Sequence, residues 1–92
     1  MRRPAKWMHQ LDERILEHLS EGGWGSPPTM GSHVRFTASE ERIRERCEEL
    51  RDAGLLAPIY RDASMYELTT LGRLYLAGEL DAENLPRRRT VG

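Results

Sequence analysis

Residues 50–56 read Leu50-Arg51-Asp52-Ala53-Gly54-Leu55-Leu56, and no other stretch of the chain says as much about its architecture. Leu50 ends the apolar face of a helix, because Ile43 and Cys47 precede it at helical spacing. Gly54 lies where a left-handed C-terminal cap belongs, and two leucines then begin a strand-like run. The stretch therefore predicts a helix at about residues 38–53 that turns directly into a β-strand.

Two further helices are predicted before this one. Apolar residues recur at three- and four-residue spacing from Met8 to Leu19, and Gly22-Gly23 then stops the pattern, which predicts a helix at about residues 9–21. Ser26-Pro27 is a helix-start signal and predicts a second, short helix that buries Met30 and Val34. The second and third helices are thus expected to form a pair across a tight turn.

Two strand-like runs follow, Leu55 to Tyr60 and Met65 to Thr69, and the polar residues 61–64 between them predict a hairpin. A last helix, capped by Thr69 or Thr70, is expected to carry the apolar residues Leu71, Leu74, Tyr75 and Leu80. Three helices, a two-stranded wing hairpin and a C-terminal helix indicate an α+β, mostly helical fold, the winged helix-turn-helix. We expect a basic N-terminal arm at residues 1–6, the domain at 7–85 and a basic disordered tail at 86–92.

The charge of the chain is distributed unevenly. Residues 7–85 hold eight basic residues and all fifteen acidic ones, a net charge of −7, whereas the two ends are basic. A DNA-binding domain is normally basic, so this balance is an objection to DNA binding. Thirteen arginines beside one lysine, with an acidic body, are typical of salt-loving cytoplasms, where screening at ~1 M salt acts over only ~3 Å and weakens the repulsion of DNA.

Several classes of function find no support in the sequence. Cys47 is the single cysteine, so no internal disulfide is possible, and its place on the apolar face predicts core packing rather than redox sensing. The histidines share no metal-ligand spacing, and no catalytic set or phosphate loop is recognisable. No apolar run approaches the ~20 residues that span a bilayer. We therefore expect a cytoplasmic protein that is not an enzyme, with no metal, no cofactor, no membrane association and no evident small-molecule substrate.

If the third helix enters a major groove, its first turns and one flank should meet the DNA. Helical geometry puts Arg42 and Arg46 on one flank and Arg44 and Arg51 on the other. Thr37 and Glu40 match a capping box, so hydroxyls and free backbone N–H groups at this helix start would favour a phosphate. The alternative is a solvated helix whose arginines pair with its own glutamates. The candidate DNA-binding residues are Thr37, Ser39, Arg42, Arg46, Arg44, Arg35, Arg61 at the wing tip, Arg2 and Arg3.

Three segments resemble those of the small phage phi-H repressor-like winged-helix proteins of halophilic archaea: residues 11–16, 46–55 and 66–76. The resemblance extends from Met1 to about Pro86, and the Arg46-Cys47 pair and residues 78–83 are more particular to that group. It implies sequence-specific DNA binding and transcriptional repression, without naming an operator or an effector.

The last helix has more apolar surface than the wing and the first helix can cover. We therefore expect a homodimer through Trp7, Leu71, Leu74 and Tyr75, which would read a palindromic double-stranded operator. Alternatively, Trp7 packs against the last helix of its own chain. A second function also remains open: a winged-helix protein–protein interaction module that does not bind DNA, which the acidic centre of the third helix favours.

Overall fold

The helices and strands follow one another in the predicted order. The computed structural model describes residues 1–60 and 65–85. Four helices flank a two-stranded antiparallel hairpin, and a short 3-10 turn at Ala82–Asn84 follows the last helix. The predicted fold class is confirmed. The elements are α1 (Gln10–Gly22), α2 (Pro27–Gly31), α3 (Glu40–Asp52), β1 (Leu56–Pro58), β2 (Tyr66–Leu68) and α4 (Thr70–Leu76).

The core forms where α1 and α3 cross. Each helix contributes three fully buried apolar side chains, because only one stripe of each is apolar. The prediction that Cys47 packs in the core is confirmed. The six residues are Ile15, Leu16, Leu19, Ile43, Cys47 and Leu50.

The hairpin pairs Leu56 with Leu68 and Pro58 with Tyr66. Pro58 ends β1, where a missing N–H removes no ladder bond. Tyr66 also pairs on its other side with Gly25, through N–O distances of 3.0 and 2.7 Å. A Cβ on Gly25 would lie 2.8 Å from Leu19 Cδ2, so any other residue there would require the buried Leu19 side chain to shift. The loop between α1 and α2 is thereby tied to the wing, which the sequence did not predict.

One threonine joins the end of α3 to the start of α4. Thr69 Oγ1 accepts from Gly72 N at 3.0 Å, as the predicted cap, and donates to Gly54 O at 2.7 Å. Gly54 has a φ of 86°, which confirms the left-handed cap after α3. The wing therefore leaves α3 through a turn that is fixed from both sides.

The structure corrects three local predictions. Val34 is 96% exposed instead of buried, because α2 ends at Gly31 and the turn carries Val34 outward. The cap of α3 is Ser39 rather than Thr37, so the helix starts later than expected. Leu80 lies beyond α4, which ends at Leu76.

Residues 1–6 were expected to form a separate arm, but they pack against the domain. Arg3 forms a β-bridge with Asp81, its carbonyl accepts from Ala82 N at 3.0 Å, and Ala5 is buried. The predicted tail at residues 86–92 lies outside the described residues. Within the described part of the chain, no helix is long and apolar enough to cross a membrane.

Candidate nucleic-acid interface

The start of α3 presents an exposed, polar surface. Ser39 Oγ accepts from Arg42 N at 3.1 Å and so satisfies one of the free backbone donors of the first turn. Thr37 and Ser39, both candidate phosphate contacts, are exposed. Acidic and basic side chains alternate on the exposed surface of α3, which comprises Glu40, Glu41, Arg42, Arg44, Glu45 and Arg51.

The exposed arginines of α3 pair with neighbouring groups. Arg44 Nη2 lies 2.9 Å from Glu40 Oε2, one turn earlier on the helix. Arg42 Nη2 lies 2.9 Å from Nδ1 of His9, at the start of α1. The exposed i,i+4 pair of Arg44 with Glu40 contributes only ~0.2–0.5 kcal/mol, so a phosphate or a guanine edge can displace Glu40. Arg42 is 46% exposed at its side chain and is open to solvent beside His9. Arg42 and Arg44 are therefore available for DNA contact.

The prediction that Arg46 contacts DNA is wrong. Arg46 is 7% exposed, and its Nε and Nη2 donate to the carboxylate of Asp12 at 2.8 and 2.7 Å. Nη2 also donates to the backbone carbonyl of Trp7 at 3.2 Å. Hydrogen bonding to Asp12 raises the pKa of the Arg46 guanidinium, although burial acts in the opposite direction. Arg46 therefore joins α3 to α1 inside the protein instead of reading bases.

Cys47, next to Arg46, has no contact with solvent. Burial raises the pKa of its thiol to about 12, and the nearby Glu48 carboxylate acts in the same direction. A redox-sensing thiol needs the opposite environment, with exposure and a lowered pKa. The thiol is therefore a packing group of the α1–α3 interface.

The turn between α2 and α3 carries a further arginine and a cluster of rings. Arg35 is exposed, and its Nη1 lies 2.8 Å from Glu21 Oε1 at the end of α1. His18 of α1 makes edge contacts with His33 and Phe36, with ring centroids 5.1 and 5.4 Å apart. These contacts fix the turn against α1 and leave Arg35 on the surface beside the start of α3.

The two arginines at the start of the chain differ in their surroundings. Arg2 was predicted to contact DNA, but Nη1 lies 2.5 Å from Glu17 and 3.2 Å from Glu13, and Nε donates to Leu76 O. The hydrogen bond to Glu17 raises the pKa of Arg2 most. Arg2 is therefore engaged within the body, whereas Arg3 is exposed. Arg61, the predicted wing-tip contact, lies outside the described residues.

The predicted dimer residues do not form one exposed patch. Tyr75 is fully buried and its hydroxyl donates to Glu13, so the prediction that it lies at a dimer interface is wrong. Leu71 is 37% exposed, and Leu74 and Trp7 are half-buried. Trp7 packs against the core cluster of its own chain.

A third helix with an exposed start, packed on α1 and followed at once by a β-hairpin, defines the winged helix-turn-helix class of domain. The family model of the winged helix-turn-helix phage repressor matches residues 1–88, and the chain belongs to this family.

Two relatives agree with this assignment. The chain is 38% identical to the repressor protein of Halobacterium phage phiH over 96 residues, which covers 95% of this chain and 99% of that protein. It also matches the crystal structure of the PhiH1 repressor-like protein from Haloarcula marismortui with a TM-score of 0.88 and 34% identity. That match covers 95% of this chain and 97% of the other.

Proposed function

We propose that this chain is a sequence-specific, DNA-binding transcriptional repressor that inserts the first half of α3 into a major groove. The observation that carries the proposal is the exposed start of α3, capped by Ser39 and bearing Arg42 and Arg44, in a member of a phage repressor family. A repressor of this kind is a regulator and not an enzyme. It acts by occupying double-stranded promoter DNA, so its place is the cytoplasm.

The candidate residues divide into two roles. Arg42 and Arg44 are the candidates for guanine edges, because arginine presents a planar pair of donors that matches O6 and N7. Thr37, Ser39 and Arg35 are exposed around the helix start and are candidates for phosphates, which position the helix without reading sequence. Arg3 is a candidate for additional phosphate contact. Arg46 is not part of the interface.

We further propose that the protein binds a palindromic operator as a homodimer. Leu71 of α4 is the one predicted interface residue that is classed as exposed, and half-buried Leu74 follows it at helical spacing. A two-fold dimer through α4 would present two copies of α3 to half-sites one helical turn apart. Sedimentation equilibrium tests this directly: wild type should be dimeric and Leu71→Glu monomeric, and a monomeric wild type would contradict the dimer.

High salt is the proposed working condition. α3 carries six carboxylates against four arginines, and Arg46 is already paired with Asp12. In dilute buffer this surface repels phosphates, whereas at ~1 M salt the repulsion acts over only ~3 Å. The organisms of the two relatives, a Halobacterium phage and Haloarcula marismortui, agree with this condition.

Selection of binding sites tests the proposed function. Purified protein is incubated in 2 M KCl with a pool of random duplexes, and bound DNA is amplified over several rounds. The expected result is one enriched sequence, whose titration perturbs amide signals of residues 35–45 far more than those of α4. A pool that stays random at both low and high salt would overturn the proposal and favour a protein–protein interaction module.

A further inference from the structure

Arg42 has a different kind of partner from the other arginines of α3. The whole of this helix lies within the described residues. The closest partner of Arg42 is the neutral ring atom Nδ1 of His9 at 2.9 Å, and its contact with Glu45 is longer, at 3.8 Å. The closest partner of each of the other three is a carboxylate: Glu40 for Arg44 at 2.9 Å, Asp12 for Arg46 at 2.7 Å, and Glu48 for Arg51 at 3.4 Å.

The imidazole of His9 must be the acceptor in this contact. A guanidinium can only donate hydrogen bonds, so Nδ1 carries no proton and the ring is neutral. A carboxylate partner cancels the charge of an arginine and adds a negative group near the DNA. A neutral imidazole does neither. Arg42 is therefore held by a group that does not cancel its positive charge, and its carboxylate contact, with Glu45, is longer at 3.8 Å.

His9 is itself fixed to α3 through the buried ion pair. Its backbone N–H donates to Asp12 Oδ2 at 2.8 Å, and the same oxygen accepts from Arg46 Nη2 at 2.7 Å. Asp12 is fully buried, so this connection is shielded from water and salt. Two sets of contacts therefore join His9 to α3. Its backbone is linked to Arg46 through Asp12, and its ring contacts Arg42 directly.

We propose that His9 is a specificity-determining positioning residue, which holds the Arg42 guanidinium in one orientation before DNA binds. The inference rests on the proposed function and names a residue outside the helix-turn-helix. Fixing a long, flexible side chain on binding lowers affinity, and a side chain that is already held loses less freedom. Bidentate recognition of guanine depends on the guanidinium plane, whereas a phosphate accepts many approaches. The effect of His9 should therefore be larger on a specific site than on arbitrary DNA.

A double-mutant cycle tests the proposal. Wild type, His9→Ala, Arg42→Ala and the double variant are titrated by fluorescence anisotropy with the duplex selected by the wild type and with a shuffled duplex of equal length. His9→Asn serves as the rescue variant, because its amide oxygen can accept in place of Nδ1. His9→Ala should weaken binding to the selected duplex roughly three- to tenfold. It should change binding by less than about twofold on the shuffled duplex and in the Arg42→Ala background.

The outcomes separate this inference from the proposed function. Equal losses from His9→Ala with and without Arg42 would indicate a merely structural role and overturn the inference. The inference would also be overturned if His9→Ala or Arg42→Ala bound the selected duplex with the affinity of the wild type. In either case the proposed repressor function would stand. If the wild type selects no duplex at all, the proposed function fails and the inference fails with it. Recovery of the wild-type preference by His9→Asn supports positioning through the accepted hydrogen bond.

Discussion

The carboxylate of Asp12 is the most heavily used polar group in the core. It is fully buried and accepts three hydrogen bonds, from Arg46 Nε, from Arg46 Nη2 and from the backbone N–H of His9. A buried carboxylate is tolerated only with such partners, because transfer of an isolated charge out of water is costly. Asp12 and Arg46 therefore add a buried polar link between α1 and α3 to the apolar packing of the two helices.

Removal of Arg46 should be costly for stability. Arg46→Met keeps the apolar stem but leaves the Asp12 charge buried and unpaired, so we expect the free energy of unfolding to fall by ~3–5 kcal/mol. Arg44→Met is the matched control, because it removes an exposed pair of the same helix and should cost under ~0.5 kcal/mol. Urea unfolding followed by circular dichroism in 2 M KCl measures both. Similar losses in the two variants would contradict the assigned role of Arg46.

Arg46 also marks the limit of what the sequence can predict at this scale. Helical spacing correctly puts Arg42 and Arg46 on one flank of α3. Whether Arg46 is buried depends on which residue of another helix faces it. That residue is Asp12, which lies 34 positions away in the chain. No periodicity within α3 reports on it. Cys47 was predictable because its place in the apolar stripe is a property of α3 alone.

The start of α3 provides the test at the scale of a secondary-structure element. Ser39 Oγ caps the helix, so Ser39→Ala should lower the free energy of unfolding by ~1 kcal/mol. Thr37→Ala is the matched control: the hydroxyl lies two residues before the cap, and the change should stay within about 0.5 kcal/mol. Thermal unfolding of the two variants compares them. If Thr37→Ala lowered the free energy of unfolding more than Ser39→Ala does, the result would favour Thr37 as the cap, as the sequence indicated.

The stability of the protein should depend on pH through His18, whose ring packs against His33 and Phe36 in the turn before α3. Burial lowers the pKa of His18 most, and the neighbouring His33 and Arg35 act in the same direction. A histidine whose pKa is lower in the folded state favours folding when it is neutral. The stability that neutral His18 adds to the folded state is therefore fully present above the ordinary histidine pKa of ~6.5. It is lost as the pH falls below that value toward the lowered pKa of the folded state.

Substitution of His18 isolates this contribution. His18→Phe keeps a ring against Phe36 and removes the titration. We expect the wild type to lose stability between about pH 7 and pH 5 relative to His18→Phe, so that the difference between the two unfolding curves changes with pH. Urea midpoints at several pH values measure it. A difference that stays constant over this interval would contradict the proposed titration.

Elements with their own periodicity were predictable, and contacts between elements were not. The long helices are within two residues of their predicted ends, because caps and apolar spacing are local. The strands are shorter than predicted, three residues each, because pairing decides where a strand ends. The Gly25–Tyr66 bridge depends on contacts between distant segments, and no local signal announces it.

At the scale of the whole molecule, charge sets the conditions for DNA binding. The net charge of the chain is −1. Few arginines are exposed around the start of α3: Arg35, Arg42 and Arg44. Arg2 and Arg46 are held by carboxylates of α1 and are unavailable for phosphates. The protein therefore has a small set of cations to exchange for the counterions of DNA.

This small set predicts a shallow salt dependence. Each neutralised phosphate contributes about −0.9 to the slope of log affinity against log salt, so the two arginines proposed to bind phosphates, Arg35 and Arg3, give about −2 per protomer. Repulsion by the acidic body weakens at the same time as salt rises, which should make the measured slope shallower still. Anisotropy titrations of the selected duplex between 0.2 and 3 M KCl measure the slope, and Arg35→Ala should reduce its magnitude by about one. A slope of about −6 per protomer or steeper would mean that further cations reach the DNA.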